Sequence, residues 1–463
     1  MTARLDILGS TIFSRLSIIF SFASAMNKYI SSFLMLLVTL SSCEKEYRNP
    51  STATQDQVLT SSDGLITVCN GLQYRYTTGA AVSVLYNTVA AGGLSTGELR
   101  ILNVGNIEEF NVSVGAGNLT NANGVVRNLW TQCQLVKSNA DLLLANTASA
   151  TDAGTRSGVV AYASIFRALA LGTLAQYFEQ APLVVQANAP FVSRIELLRS
   201  AVAQLEVAAT DLATAPVSAD FNAKIVPGID IPNTVQALIA RYSLMAGDYD
   251  KAIAAAGRVD LTRRSVFNFD ENTRNPVFEV SFGNRNVFEP TNATLGLTGT
   301  LVPEANDRRL PFLVRTNPTA TQNLGTGFYT ANSAPIPVYV PGEMLLIRAE
   351  AYARKNDLTN AVTELNRVRT SAATATLANN LPTAPPGAAL PAYNGALTQD
   401  AVLLDIYRNR QLELAFQGFR LEDSRRFNRP GPGAAGAERN RNFFPYPRTE
   451  RENNTATPTD PAI

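Results

Sequence analysis

Apolar residues recur at three- and four-residue spacing along much of this chain, the period of a helix with one buried face. Val126, Leu129, Trp130, Cys133, Val136, Ala140, Leu143 and Leu144 form one stripe, and Val159, Ala163, Phe166, Ala170, Leu174 and Tyr177 a second. A third, Ile195, Leu198, Val202, Leu205, Ala209 and Leu212, begins at Ser193 with Glu196 three residues later, the spacing of a capping box. Helices are therefore expected from about residue 125. Laying residues 238–259 over 347–368 makes a longer period visible. Tyr249, Ala252, Ile253, Ala256 and Val259 fall on Leu358, Ala361, Val362, Leu365 and Val368; Ala240 falls on Ala349, Asp248 on Asp357 and Arg258 on Arg367. Small residues where two helices meet, with a coincident turn and apolar period, are the pattern of a tetratricopeptide-like repeat. The expected fold is all-α, an α/α superhelix of such repeats within about 125–260 and 340–370, with an irregular, loop-rich second half. That half is 267–337, rich in Asn, Thr, Gly and Pro with β-like pieces such as 277–280, and 370–398, a loop of Ala, Thr, Pro and Gly. Connections of this length are usually functional or disordered, and 431–436 is a further flexible stretch.

The N-terminus follows a different pattern. An apolar run from Ile30 ends at Leu40-Ser41-Ser42-Cys43 and meets the polar Glu44-Lys45-Glu46. About a dozen apolar residues are too few to span a bilayer but enough for a signal peptide. Cleavage before Cys43 and acylation of that cysteine are expected, and each buried CH₂ of the acyl chains contributes roughly 0.8 kcal/mol to anchoring. A second apolar stretch, 11–25, is broken by Arg15, and Met26 with Lys28 supplies an alternative start of ordinary layout. The expected organisation is a leader over 1–42, a polar tether over 43–62 and one domain over 63–463.

Composition narrows the chemistry. The chain is 46% hydrophobic and 17% charged with a formal net charge of +1, which gives no electrostatic case for nucleic acid. It contains no histidine, removing imidazole acid–base work, Ser-His-Asp catalysis and His-containing metal sites together. With Cys43 acylated, Cys69 and Cys133 are too few for a disulfide framework or a thiolate zinc site; they could pair with each other in an oxidising compartment, but Cys133 lies on an apolar helical face and a buried free thiol is the favoured reading. No metal or cofactor is expected.

Several motifs in the C-terminal third resemble the SusD/RagB family, surface lipoproteins of Bacteroidetes that work with TonB-dependent outer-membrane channels. They are Glu343-Met344-Leu345-Leu346-Ile347-Arg348-Ala349-Glu350-Ala351, Leu365-Asn366-Arg367-Val368-Arg369, and Arg410-Gln411-Leu412-Glu413-Leu414-Ala415-Phe416-Gln417-Gly418-Phe419-Arg420 with Asp423 and Arg425-Arg426. Pro445-Tyr446-Pro447 with Glu450, and Asp307-Arg308-Arg309-Leu310, also match, so the family motif occupies about 400–454. The chain departs from the pattern at Asn409 and Gln417, where glutamate is usual, and at Phe419, where histidine is common. By spacing, Arg410 with Glu413 and Arg420 with Asp423 are expected as local i,i+3 pairs of small energetic weight.

The resemblance implies a binding protein without catalytic activity, lipid-anchored on the outer face of the outer membrane. It implies a lid over a SusC-like TonB-dependent transporter, taking an oligosaccharide or, as in RagB-like members, a peptide. A periplasmic protein-binding repeat scaffold is the alternative the repeats alone allow. A glycoside hydrolase would need two carboxylates about 5–10 Å apart in a cleft, and no motif marks such a pair. The resemblance places ligand contacts on N-terminal loops and in the irregular half. Aromatic faces suit sugar rings, and Arg, Asn and carboxylates suit their hydroxyls. Tyr74, Arg75, Tyr76, Tyr86, Glu98, Arg100, Arg285, Asn286, Phe288 and Tyr329 are the candidates. Trp130 sits on a core stripe and is not expected to be a stacking platform.

Overall fold

The computed structural model describes residues 58–284, 286–316, 324–372 and 385–463. The expected leader, Met26, Cys43 and most of the tether lie outside the described residues, as does Arg285. Helix α1 (Ser62–Thr77) opens with Ser61 accepting the Gly64 N–H, followed by α2 (Val84–Ser95) and α3 (Ile107–Val114). These three precede the expected onset of helix. In α1 the buried register Leu65, Ile66, Cys69, Leu72, Tyr76 is interleaved with Gly64, Asn70 and Gly71, which lower helix propensity. In α2 nearly every residue is buried, so no polar face marks a period.

The three sequence stripes become α4 (Gly124–Ala145), α5 (Ala153–Tyr177) and α6 (Arg194–Thr214), each packed on the next. Helix α5 is long and apolar enough to cross a membrane, yet 94% of that window is buried inside the protein, which makes it the central core helix. The Ser193 hydroxyl caps α6 by accepting the Glu196 N–H at 3.3 Å. Trp130 is 2% exposed, stacks on Phe191 at 5.7 Å and donates its indole N–H to Glu450 at 3.0 Å. Cys69 and Cys133 are both buried free thiols.

After the short α7 (Ala219–Lys224) come α8 (Ile231–Ala246) and α9 (Tyr249–Arg258). The single turn α10 (Leu310–Leu313) precedes α11 (Pro341–Arg354) and α12 (Leu358–Arg369). The pairs α8–α9 and α11–α12 carry the repeat. Ala240, Ala252, Ala349 and Ala361 are all fully buried. The turns superpose in detail: Gly247 (φ 83°) and Asn356 (φ 62°) are both left-handed, a conformation glycine adopts freely and asparagine tolerates. The next residues, Asp248 and Asp357, have φ/ψ of −88°/77° and −87°/74° and cap α9 and α12 from Lys251 and Asn360 N–H. Helix α9 packs on α11, so the pairs stack.

The second half is irregular, as expected, but its local structure differs in one place. Residues 277–280, expected as β-like, enter a single π-helical turn at Phe278–Phe282, because Asn275 Oδ1 accepts the Val277 and Phe278 N–H groups and bends the chain. Regular pairing involving this half, among the described residues, is limited to short antiparallel ribbons: Leu99–Ile101 with Phe288–Pro290, Ser265–Phe267 with Ile336–Tyr339, and Arg315–Thr316 with Leu324–Gly325. The first ribbon ties the N-terminal helices to the irregular half, and the second joins the two ends of that half.

Residues 399–454 fold as α13 (Gln399–Glu413), α14 (Arg420–Arg426) and α15 (Arg448–Asn453). Arg425 with Glu422 and Arg426 with Asp423 do pair at i,i+3, at 2.6 and 2.8 Å, but the two expected pairs, Arg410 with Glu413 and Arg420 with Asp423, do not form. Arg410 grips Asp423 with two bonds of 2.9 Å, Glu413 takes Arg309 at 3.2 Å, and Arg420 donates to the Leu295 carbonyl with Glu98 at 3.6 Å. All are buried, because α13 is covered on both sides. A local pair on an exposed helix is weak; here each buried charge fixes one element against another.

Candidate functional site

The structure divides the expected ligand residues between two surfaces and the core. The first surface is the ribbon 99–101/288–290, which sets the loop 102–106 against Asn286 and Val287. Asn103 donates to Asn286 Oδ1 at 3.2 Å, Asn106 donates to the Asn286 carbonyl at 2.9 Å, and Arg100 pairs with Glu289. Arg100 and Asn286 are exposed. The aromatics beneath them are not: Tyr86 stacks on Phe288 at 5.8 Å, Phe288 meets Phe282, and Phe282 stacks on Tyr329 at 5.7 Å. Tyr86 and Phe288 are fully buried and Tyr329 nearly so. Their hydroxyls are used internally, Tyr86 donating to Glu109 at 2.7 Å and Tyr329 to the Phe416 carbonyl at 2.7 Å. These three aromatics close the core of the irregular half instead of offering a face to a ligand. Glu98 is likewise buried; burial pushes its carboxyl up against the opposing pull of Arg420.

Tyr76 is also a core residue, 5% exposed and edge-on to Phe166 at 5.8 Å. With Tyr329, Arg241 and Phe419 it lines an interior cavity of about 60 Å³. That is far below the ~300–1,000 Å³ of ordinary small-ligand sites. A groove of about 870 Å³ runs between the end of α6 and the start of α8, past Leu212, Val217, Ile231 and Val235, and none of the expected ligand residues lines it.

The second surface is a cleft of about 330 Å³. One wall is the last turns of α1, with Asn70, Gln73, Tyr74, Thr77 and Thr78; the facing wall is Val226 and Pro227, then Asn268, Phe269, Asp270 and Thr273 from the first residues of the irregular half. Tyr74 is 61% exposed and is the one exposed aromatic among the described residues. Arg75 is exposed on the same turn but does not line the cleft.

Amides hold the walls together. Asn70 donates to the Lys224 carbonyl at 3.0 Å and accepts the Val226 N–H at 2.8 Å, and Asn268 donates to the Pro227 carbonyl at 2.8 Å. Gln73 accepts the Tyr162 hydroxyl at 2.6 Å. The Asp270 loop closes on itself: its Oδ1 accepts from Asn272 N–H, Thr273 N–H and the Thr273 hydroxyl at 2.7, 2.7 and 2.9 Å. The Thr273 and Asn272 N–H groups, with that hydroxyl, hold the Asp270 carboxyl below the usual range, so it is charged at any ordinary pH. An exposed ring face, hydroxyls, amides and one fixed carboxylate thus share one concave surface.

Tyr74 was legible from its type and position; Asn268, Asp270 and Thr273 were not singled out. Their signal is the run Asn268-Phe269-Asp270-Glu271-Asn272-Thr273, whose Asp and Asn spacing predicts a self-bonded loop.

A family model described as the SusD family matches residues 266–461. Among solved structures, a SusD superfamily protein from Bacteroides fragilis is 16% identical with a TM-score of 0.64, over 86% of this chain and 99% of that one. A SusD-like carbohydrate binding protein from Bacteroides vulgatus is 17% identical with a TM-score of 0.63, over 80% and 84% of the two chains. A SusD homolog from Bacteroides thetaiotaomicron is 16% identical with a TM-score of 0.60, over 86% and 98%. No curated protein matches the chain.

Proposed function

We propose that this chain, SusD-like in the family region 266–461 and in its fold, captures an oligosaccharide at the Tyr74 cleft as a non-catalytic, lipid-anchored surface protein. The observation that carries this reading is the exposed Tyr74 ring set beside Asn268, Asp270 and the Thr77 and Thr78 hydroxyls in one cleft. A sugar ring buries its CH face on an aromatic and leaves its hydroxyls to be satisfied from the side, which this arrangement does. Two SusD-like neighbours of this fold, from Bacteroides vulgatus and Bacteroides fragilis, are described as carbohydrate binding proteins. The lipobox at Cys43 supports anchoring, and the family resemblance supports delivery to a TonB-dependent transporter of the SusC type in the outer membrane.

The test is a single substitution. Because Tyr76 is in the core, a variant that also removes it would confuse folding with binding; Tyr74→Ala removes only an exposed ring. Titration of the full chain with a glycan panel is expected to find an oligosaccharide ligand whose affinity falls at least tenfold in Tyr74→Ala, about 1.4 kcal/mol, with the melting temperature unchanged. Undiminished affinity in that variant moves the site to the Arg100–Asn286 surface, and binding of peptides but no glycan defeats the reading.

A further inference from the structure

The Tyr74 cleft carries an imbalance of hydrogen-bonding groups that restricts the glycan it accepts. The threonine hydroxyl hydrogens around it are committed to the protein: Thr77 donates to the Gln73 carbonyl at 2.7 Å, Thr78 to the Tyr74 carbonyl at 2.6 Å and Thr273 to Asp270 at 2.9 Å. Each of these oxygens keeps lone pairs, so each can accept from a ligand and not donate. Asn268 turns its Nδ2 to Pro227, which leaves its Oδ1 for an incoming donor. Asp270 has all three bonds on Oδ1, and among the described residues its Oδ2 takes none. No arginine or lysine lines the cleft.

The surface is therefore rich in acceptors and carries one fixed negative charge with no lining cation to offset it. A ligand that brings hydroxyl donors satisfies it. A ligand that brings carboxylates or sulfates finds few donors, chiefly the Tyr74 hydroxyl and side-chain amides, and places its charge against Asp270, which is exclusion mainly by repulsion. We infer that the cleft selects neutral oligosaccharides and rejects uronate- and sulfate-bearing ones, an inference that rests on the glycan-capture reading above.

The experiment uses one neutral oligosaccharide found by the panel and the same molecule with its C6 hydroxymethyl groups oxidised to carboxylates. Ring stereochemistry is then constant, while each C6 loses a hydroxyl donor and gains a negative charge; the salt and Asp270→Asn arms isolate the charge. Titrated against the full chain in low salt, the carboxylated form is expected to bind at least tenfold more weakly. The gap should narrow in 0.5 M salt and in Asp270→Asn, which retains the loop-closing acceptor and removes the charge. Equal or tighter binding of the carboxylated form, with Tyr74→Ala still abolishing it, overturns the charge selection and leaves glycan capture standing. A gap that ignores both salt and Asp270→Asn also overturns it, since the selection would then not be electrostatic at this residue. Binding of neither form by any panel member overturns both.

Discussion

The pairs α8–α9 and α11–α12 are the same structure with opposite charges at one position. Where the first has Arg241, the overlay that matches their turns places Glu350 in the second, and both side chains are buried. Arg241 reaches forward to α11, holding Glu343 with bonds of 2.5 and 2.6 Å and the Val338 carbonyl at 2.8 Å, and lies over the Phe419 ring at 4.7 Å. Glu350 reaches forward again, to the C-terminal helices. Arg426 donates to it twice at 2.8 Å, Arg354 at 3.3 Å, and Arg410 lies at 3.8 Å. Burial alone would raise the Glu350 pKa, but Arg426, Arg410 and Arg354 outweigh it and hold the carboxyl below its usual range. The shared apolar and small residues make a helix pair; the differing charge decides which element it docks on next. Specificity by buried charge is well attested for register in helical assemblies, and here it orders a stack.

Breaking those links should produce the largest effects. Arg241→Met strands Glu343 and is expected to cost about 3–5 kcal/mol in urea unfolding; Glu350→Leu takes two bonds from Arg426, which keeps Asp423 at 2.8 Å, and is expected to cost less. The double variant Arg241→Met with Glu343→Met should recover most of the loss, because both charges leave together. A single-variant cost under about 1 kcal/mol would show that these pairs are peripheral to the stack.

The seams that make the two pairs alike should cost less to disturb. Ala240→Leu and Ala349→Leu each insert a branched side chain at a fully buried small position, with an expected cost of roughly 1–3 kcal/mol. The comparison requires both to respond. Wild-type stability in either one would mean that its helix does not approach its partner as the overlay requires.

The same contrast explains what the sequence disclosed. Stripes such as Val159, Ala163, Phe166 and Ala170 are legible because one helix face repeats every few residues, and the Asp248 and Asp357 turns because a cap is a local signal. Helix α2, buried all round, has no period to read. Long-range polar bonds have no sequence period at all. Arg410 with Glu413 looked like a local pair, yet Asp423 and Arg309 are the true partners, brought there by the fold. The candidate site suffers the same limit. Residue type could nominate Tyr74, Tyr76, Tyr86 and Tyr329 alike, and only burial separates the exposed ring of Tyr74 from the three that pack the core. Asp270 joins Tyr74 because Asn70 and Asn268 tie their two segments to the turn at 224–227, contacts between residues far apart in the chain.

The smallest expected effect gives the sharpest test of equivalence. Asp248 and Asp357 make the same cap at the same dihedral angles, each after a left-handed residue. Replacing a capping Asp by Ala costs about 0.5–2 kcal/mol, typically ~1, because one N-terminal N–H loses its acceptor and the negative charge no longer faces the helix dipole. Asp248→Ala and Asp357→Ala should therefore each cost ~1 kcal/mol, Asp→Asn at either site should cost less, and the two sites should agree within about 0.5 kcal/mol. Each Asp caps only its own helix and the two share no hydrogen-bond partner, so the double variant is expected at ~2 kcal/mol. Unequal caps, with one site silent, would show that the turns share a shape but not a role, and that only one pair depends on its turn to set the angle between its helices.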